Sequence, residues 1–494
     1  MTETDYRKLC AACDEILFRS DLPEACRSIS YLHIIREHPL FLGRYETLFS
    51  SGDKSEPASA RIRSFLGVLK FLLRVSAMPR PPETGDRLDV LFVSHLLNPS
   101  QVDASEDFYF HDLPEVVQRE GFSTEVLLIN QTKAMTPVRC PFLRGGVRTR
   151  ILAPHKSFTD AWRDVRSLAR TRSALRRAAK HESRPLQRRI LDAAADTCLS
   201  GGTLADLGIA AQVGGIVGTR RPKMLVTTSE GHAWERQAYR SATRAHQGTV
   251  CAGYQHAAVF RLQHALRRSL GDGWDPQILF ASGENAKQLI QSSPELRQLP
   301  IKVLGSRRGR PSISRSTFRT SHRPTCLVIP EGTLEECQIL FDFSKRWALQ
   351  DPALQFVWRL HPVLSEASVF QADSVPPPNV RISRSSLDED ISESHAVLYR
   401  GSTAVIRAAT EGLLPIYVSQ PDELSIDLLF DLGDERLDVS SVEEAQGLVD
   451  VDALPSIKHL RSENRALQQR LDGFFSPFQH KVFCDALTEI PGGA

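Results

Sequence analysis

Short apolar runs alternate with longer amphipathic stretches between residues 88 and 418 of this chain. Runs of this kind, bounded by turn-forming residues, are typical of strands buried inside a parallel sheet. The predicted strands are residues 88–94, 124–129, 223–228, 249–254, 278–281 and 301–304, followed by 325–329, 355–360, 380–382, 396–399 and 414–418. Because helical segments separate these strands, the pattern predicts two sets of doubly wound α/β structure.

The residues before the first strand follow a different pattern. Apolar positions in residues 1–80 recur at spacings of three and four, which favours helices. A stretch rich in Arg, Ser and Pro at residues 306–324 separates the two sets of strands and is interpreted as a hinge. We expect the helices around residues 457–474 to cross back to the first domain. The predicted units are a helical extension (1–85), a first Rossmann-like domain (86–312) and a second Rossmann-like domain with terminal helices (313–494).

The composition indicates a folded chain that does not depend on disulfides. Hydrophobic residues make up 41% and charged residues 24% of the sequence, as in soluble globular domains. The nine cysteines are scattered, and the pair Cys10 and Cys13 has no second pair that would complete a zinc site. Neither a signal-peptide pattern nor a membrane-spanning apolar run is found. We therefore expect a cytoplasmic protein with reduced thiols.

Positive charge is concentrated in residues 144–189. This segment is either a solvated helical face or a contact surface for an anionic membrane or another polyanion. The amphipathic segment 61–74 would assist membrane contact, or else pack as an ordinary helix. Nucleic acid is not expected as a partner, because aromatic residues are not interleaved with the basic ones. The membrane interpretation places the protein peripherally on the inner face of the cell membrane.

A histidine and a Gly-Ser-Thr turn each follow a predicted strand in the second domain. His361 precedes Pro362, whose fixed φ favours an exit turn. Gly401, Ser402 and Thr403 lead into a helical segment. Imidazole and hydroxyl groups can donate to phosphate oxygens, and ligands bind at the carboxyl ends of parallel strands. Each motif alone would be an ordinary local structure, but together they predict a phosphate site.

Titratable residues also follow two strands of the first domain. Glu230 and His232 come after the strand at 223–228, and either could accept a proton from a hydroxyl group. Glu230 could equally interact with the dipole of the following helix. Glu235, Gln255 and His256 are secondary candidates, which would orient an acceptor or bind phosphate.

In the second domain, Glu331 and Glu335 follow a strand, and either could accept hydrogen bonds from ribose hydroxyls. No convincing metal-ligand pattern is present, since the acidic residues at 103–112 are equally an acidic helix start. GxGxxG and P-loop patterns are also absent from the sequence, which argues against dinucleotide oxidoreductases and P-loop kinases.

Taken in order, these motifs resemble those of bacterial GT-B glycosyltransferases of capsule and surface-carbohydrate synthesis that use CMP-activated sugars. The sialyltransferases, polysialyltransferases and Kdo transferases belong to this group. The resemblance covers ordered motifs within residues 220–420 and implies a GT-B-like fold, with two facing Rossmann-like domains. It implies that His361, Ser402 and Thr403 hold the donor phosphate and that Glu230 is the general base.

The same resemblance implies an acceptor-binding first domain, a nucleotide-binding second domain and no cofactor or metal. The donor would be a CMP-activated ulosonic acid, and the acceptor a glycan or glycolipid. The sequence departs from the family at Ser229, where the family has an acidic residue. That departure leaves His232 as a rival for the role of base.

Two other functions remain open at this point. A CDP-glycerol-type polymer transferase of teichoic-acid-like synthesis would have a similar fold and His-Pro element, with His256 more important as a base. A non-catalytic glycan-binding protein on a degenerate GT-B fold would bind glycan but no nucleotide.

Overall fold

A computed structural model describes residues 1–49, 86–132, 141–152, 158–309, 323–370 and 376–490, together with Leu66 and Val68. Within these residues the chain forms two β-sheets that are covered by helices. Apart from Leu66 and Val68, the amphipathic segment predicted at 61–74 lies outside the described residues.

Fourteen strands are found in the described part of the chain. Those of the first sheet are β1 (Val90–Leu96), β2 (Thr124–Asn130), β3 (Phe142–Arg144), β4 (Val147–Leu152), β5 (Met224–Thr228), β6 (Val250–Gln255), β7 (Ile278–Ala281) and β8 (Ile301–Val303). Those of the second sheet are β9 (Thr325–Ile329), β10 (Gln355–Trp358), β11 (Val380–Ile382), β12 (Ala396–Tyr399), β13 (Leu414–Val418) and β14 (Leu437–Val439).

The helices come before, between and after these strands. They are α1 (Glu3–Phe18), α2 (Pro39–Leu42), α3 (Leu113–Arg119), α4 (Phe158–His181), α5 (Pro185–Cys198), α6 (Gly201–Arg220), α7 (Ala233–Ala245), α8 (Glu284–Gln291), α9 (Leu334–Gln350), α10 (Glu366–Val369), α11 (Leu387–Glu393), α12 (Ala404–Thr410), α13 (Val442–Leu448), α14 (Leu454–Glu463), α15 (Arg465–Asp472) and α16 (His480–Thr488).

Both sheets have the strand order of doubly wound folds. The first runs β3-β4-β2-β1-β5-β6-β7-β8, parallel except for the antiparallel pair β3 and β4. The second runs β11-β10-β9-β12-β13-β14 and is parallel throughout. Central strands such as β1, β5 and β12 are buried along their whole length, as a sheet covered on both faces requires. The predicted fold class, two Rossmann-like domains with a helical extension, is confirmed.

The basic stretch at 144–189 differs from its prediction in its first part. Residues 144–152 form an edge hairpin of the first sheet, and their charges are paired inside the protein. Arg144 lies 3.2 Å from Asp107, and Arg150 lies 2.7 Å from the fully buried carboxylate of Glu125. A solvated face or a membrane contact is therefore wrong for residues 144–152 and stays a prediction for the exposed side of α4.

The amino-terminal extension packs on the first domain. Helix α1 places Leu9, Ile16 and both Cys10 and Cys13 in a core shared with α4 and α5. The two thiols are buried and free, so this CxxC is part of the packing. Residues 24–49 continue as short helical turns along the edge of the same core.

The last helix returns to the first domain. Phe483 of α16 stacks on Phe92 of β1 with ring centroids 5.5 Å apart, and His480 lies 2.8 Å from Asp112. Helix α15, by contrast, buries Leu467 in the core of the second domain. The chain reaches the first domain at the end of α15, within the predicted region 457–474, because Asn285 of α8 donates to the carbonyls of Arg470 and Gly473. Helix α16 then packs in the core of the first domain, although its sequence position placed it in the second.

Candidate active site

Three neighbouring strands of the first sheet end in titratable side chains. Strand β5 lies between β1 and β6, so the ends of the three strands meet at one edge of the sheet. His95 lies near the end of β1, Glu230 follows β5, and His256 follows β6. We call Glu230, His232 and His256 the first-domain cluster.

Glu230 lies between two imidazoles. Its carboxylate oxygens are 3.2 Å from Nε2 of His232 and 3.4 Å from Nε2 of His256, and its side chain is 37% exposed. Burial alone would raise the pKa of Glu230, but the hydrogen bond from His232, the neighbouring ring of His256 and the positive charge of Arg36 outweigh it. The pKa of Glu230 is therefore held well below its ordinary value, and the carboxylate is ionised at neutral pH.

The two histidines of the cluster differ in protonation. For His232, burial disfavours the charged ring, but the hydrogen bond to Glu230 and the nearby carboxylates raise its pKa to about 9. For His256, burial dominates and lowers the pKa to about 4. At neutral pH the cluster thus holds the carboxylate of Glu230 in contact with a charged imidazolium, His232, and a neutral imidazole, His256.

Glu235 holds the loop that carries this cluster. Its carboxylate accepts hydrogen bonds from the backbone N–H groups of Glu230 at 3.0 Å, Gly231 at 2.8 Å and His232 at 3.0 Å. Burial raises its pKa to about 7. Gly231 has a φ of 88°, and a Cβ there would lie 2.5 Å from the backbone of Ala265, so only glycine fits this turn. Because its oxygens face the backbone, Glu235 positions the loop and is not placed to bind an acceptor.

Gln255 is also turned away from the cluster. Its side chain is buried, and its amide bonds to the carbonyl of Ala257 and the hydroxyl of Ser282. It therefore supports the turn into His256, and a role in acceptor binding does not fit its contacts.

Sequence reasoning missed His95. Its Nδ1 lies 2.8 Å from Gln131 Nε2, and its Nε2 lies 3.2 Å from the hydroxyl of Thr228. The ring of Tyr109 lies between His95 and His256, with centroid distances of 5.5 and 4.5 Å. Burial lowers the pKa of His95 to about 4, so it is neutral. The available signal was its position at the end of the first predicted strand.

Three turns of the second sheet also meet at one edge. Strand β9 lies between β10 and β12, so Glu331, His361 and the 401–403 turn come together. A Cβ on Gly332 would lie 2.9 Å from His361 Nδ1, and one on Gly401 would lie 2.5 Å from Glu331 Oε1. Glycine at both positions therefore allows these turns to pack closely against Glu331 and His361.

His361 and the two hydroxyl residues are available to a ligand. Nδ1 of His361 accepts from the backbone N–H of Val363 at 3.4 Å, which in the neutral ring leaves the proton on Nε2. Burial lowers the pKa of His361, although Glu331 opposes the shift. Ser402 and Thr403 are half-buried, and their hydroxyls have no hydrogen bond to the described residues. Pro362 is exposed at the turn.

The arginines beside these motifs serve the fold. Arg359 lies 2.7 Å from Asp390 of α11. Arg400 is fully buried and lies 2.8 Å from Glu336 and 2.5 Å from Glu423. Both guanidiniums are engaged by carboxylates, so we assign neither to the phosphate site.

The amino-terminal extension reaches both domains at this point. His38 Nε2 lies 2.6 Å from Glu331, and Glu37 accepts from the backbone N–H of Leu262 at 2.6 Å. Phe260, two residues before Leu262, packs in the core of the second domain. The predicted ribose contact of Glu331 is thus shared with His38, a partner 293 positions earlier in the chain that no local pattern indicated.

Within the described residues, no group of three or more His, Cys, Asp or Glu side chains is arranged to hold a metal ion. In the same part of the chain, no helix is long and apolar enough to cross a membrane.

No family model matches the chain, and no curated protein matches it. Among solved structures, it is similar to the glycosyltransferase SnogD from Streptomyces nogalater, with 13% identity, 82% of this chain and 100% of that chain covered, and a TM-score of 0.43. It is also similar to a UDP-forming α,α-trehalose-phosphate synthase from Burkholderia vietnamiensis, with 10% identity, 83% and 98% covered, and a TM-score of 0.46. These are distant likenesses, so the function proposed below rests on the geometry of the site.

The charge state of the first-domain cluster can be tested by titrating His232. Glu230→Gln removes the hydrogen bond and the charge that oppose burial, so the pKa of His232 should fall from about 9 to about its ordinary 6.5 or lower. NMR of the histidine Cε1–H groups measures this value. Glu463→Gln, at the exposed pair of Glu463 and His459, should leave His232 unchanged. A pKa of His232 that is the same in Glu230→Gln as in the wild type would refute the pairing.

Proposed function

We propose that this protein is a glycosyltransferase that moves an ulosonic acid, such as sialic acid or Kdo, from a CMP-activated donor to a surface glycan or glycolipid. The observation that carries the proposal is that each sheet has a cluster of polar side chains at the carboxyl ends of its strands. One holds an ionised carboxylate between imidazoles, and the other holds a neutral histidine beside two unengaged hydroxyls. The extension contacts both domains next to these clusters.

In the proposed reaction, the acceptor hydroxyl attacks the anomeric carbon of the donor sugar. Its proton passes to Glu230 as the new C–O bond forms. The bond between the anomeric carbon and the phosphate oxygen breaks, and its electron pair leaves with CMP. The low pKa of Glu230 makes it a weak base, so His232 remains the rival for this step.

His361, Ser402 and Thr403 of the second domain would receive the leaving phosphate. Nε2–H of His361 and the hydroxyls of Ser402 and Thr403 are donors suited to phosphate oxygens. Preorganised donors of this kind stabilise charge that develops on a leaving group. The proposal therefore assigns this task to protein groups and includes no metal or cofactor.

A transferase that uses a CDP-activated phosphoalcohol is the second candidate. The observation that favours it is His256, a neutral imidazole 3.4 Å from Glu230, whose buried Nδ1 has no hydrogen-bond partner in the described structure. In that reaction, His256 would take the proton and Glu230 would orient its ring. The two candidates differ in the nucleotide they bind.

Replacing His361 tests the phosphate site. His361→Ala should weaken CMP binding by about 10- to 100-fold, since a hydrogen bond to a charged group contributes about 1.5–3 kcal/mol. Isothermal titration of CMP, CDP and UDP measures both affinity and nucleotide preference. His459→Ala, on the exposed face of α14, is the matched control, and the thermal midpoints of both variants should stay near that of the wild type.

Unchanged CMP affinity in His361→Ala would count against the site. A preference of the wild type for CDP or UDP over CMP would replace the proposed donor. Binding of glycan without any nucleotide would favour a non-catalytic carbohydrate-binding protein.

The pH dependence of CMP release identifies the base. If Glu230 is the base, the rate should be constant between about pH 6 and pH 8, because the pKa of its carboxyl lies far below that range. If His232 is the base, its neutral form appears only near pH 9, so the rate should rise about tenfold per pH unit up to that value. Glu230→Gln should lower the rate by about 10²- to 10⁴-fold, and Glu463→Gln should not change it.

We also propose that the exposed side of α4 contacts an anionic membrane on its cytoplasmic face. Arg166, Arg170 and Arg177 are exposed along one stripe and have no ion pair with a described residue, whereas Arg176 is bound to Asp192 at 2.5 Å. Together with Ser173, the three arginines line a recess in the surface. An unpaired stripe of this kind attracts anionic lipid headgroups.

Vesicle binding tests this surface. Changing Arg166, Arg170 and Arg177 to Ala should weaken binding to phosphatidylglycerol-containing vesicles about 100-fold, at about 1 kcal/mol for each basic residue. Sedimentation with vesicles measures the bound fraction. In the control variant, Lys345, Arg346 and Arg384 are changed to Ala. These residues are exposed on the second domain, so the control loses the same charge. Equal binding by the two triple variants would refute a specific surface on α4.

A further inference from the structure

Arg36 lies in a segment that is fastened to both domains. The next residue, Glu37, is bonded to the backbone of Leu262 in the first domain at 2.6 Å. The residue after that, His38, contacts Glu331 of the second domain at 2.6 Å. His38 Nδ1 accepts from the backbone N–H of Leu40, which leaves the ring proton on the nitrogen that faces Glu331. These two anchors hold the backbone of Arg36 between the domains.

The guanidinium of Arg36 is held by two aromatic rings. Its central carbon lies 4.9 Å from the ring centroid of Phe41 and 5.4 Å from that of Phe260. The side chain is half-buried. Within the described structure it has no hydrogen bond and no ion pair, so its five donors are free.

Three carboxylates lie within electrostatic reach of Arg36, and each already has another partner. The charge of Arg36 contributes to the pKa shifts of Glu37, Glu230 and Glu331. Glu37 accepts from the backbone of Leu262, Glu230 is bound by two histidines, and Glu331 contacts His38. Arg36 therefore lies near both the first-domain cluster and the turn that carries Glu331, and it pairs directly with neither.

The guanidinium of Arg36 is half-buried, and a partly desolvated cation attracts an anion more strongly than one in open water. The planar guanidinium fork matches the two oxygens of a carboxylate or a phosphate, and stacking on aromatic rings preorganises it for such a contact. Its neighbours Glu230 and Glu331 belong to the base side and the phosphate side of the proposed site. An anionic group bound by Arg36 would therefore lie between these two sides of the proposed site, where the donor sugar joins its phosphate.

We propose that Arg36 binds an anionic oxygen pair of the donor and that the amino-terminal extension thereby completes the donor site. This inference rests on the proposed function. In a CMP-activated ulosonic acid, both the carboxylate and the phosphate ester are attached at the anomeric carbon. Either group supplies the oxygen pair, and the experiment separates them.

The test compares Arg36→Gln and Arg36→Lys with the wild type, using CMP and CMP-N-acetylneuraminate as probes. Glutamine keeps the stem of the side chain and removes its charge, whereas lysine keeps the charge and removes the fork. Arg36→Gln should weaken binding of the CMP-sugar by about 10- to 100-fold, and Arg36→Lys should weaken it less. Isothermal titration measures both affinities.

Arg44→Gln is the matched control. Arg44 lies on the same extension and stacks on Tyr31 and Tyr45 at 5.5 and 4.7 Å, but it binds the Tyr45 hydroxyl and has no contact with the candidate site. The control loses the same charge and a similar stacking contact. Its affinity for both probes should equal that of the wild type, and the thermal midpoint of each variant checks that the extension is folded.

Each outcome decides the inference. Loss of affinity for both probes in Arg36→Gln supports a contact with the phosphate. Loss for the CMP-sugar alone supports a contact with the sugar carboxylate. Wild-type affinity for both probes in Arg36→Gln overturns the inference and leaves the proposed function standing. A wild-type protein that binds neither probe refutes the proposed donor, and this role of Arg36 with it.

Discussion

Parallel strands all end at the same edge of a sheet, and the candidate site depends on this constraint in both domains. In the first sheet it joins His95, Glu230 and His256, which are far apart in the sequence. In the second sheet it joins Glu331 and His361 to the turn at 401–403. Local hydrogen bonds then fix the position of Glu230, since the carboxylate of Glu235 accepts from the backbone N–H groups of the loop that carries it. Side chains that would be ordinary alone become two clusters of complementary chemistry.

Charge balance across the site explains why its side chains differ in protonation. Burial acts on all of them, and at His232 the contact with Glu230 outweighs it. At His95 and His256 burial outweighs the nearby charges, so both rings stay neutral. One ionised carboxylate is thus kept beside neutral and charged imidazoles in a small space, the combination that proton transfer requires. Arg36 adds a cation whose donors have no hydrogen-bond partner among the described residues.

Much of the fold could be predicted from the hydrophobic pattern. The strands at 278–281, 325–329 and 396–399 occur with the predicted bounds, because buried parallel strands are short and continuously apolar. Strand β4 was missed because Arg148 and Arg150 break that pattern. Arg150 is paired with the buried carboxylate of Glu125, and Arg148 is partly exposed to solvent. The candidate site could be predicted where a polar residue directly follows a strand, as for Glu230 and His361.

The sequence by itself determined which segments become strands and which polar residues stand at their ends, since both follow from local burial and turn chemistry. Only the tertiary structure decided which of those residues meet, that Glu235 and Gln255 face the backbone, and that α16 returns to the first domain. The tertiary structure also decided that Arg36 and His38 lie beside the candidate site. Contacts between segments hundreds of residues apart arise from the packing of whole domains, and no short-range pattern encodes them.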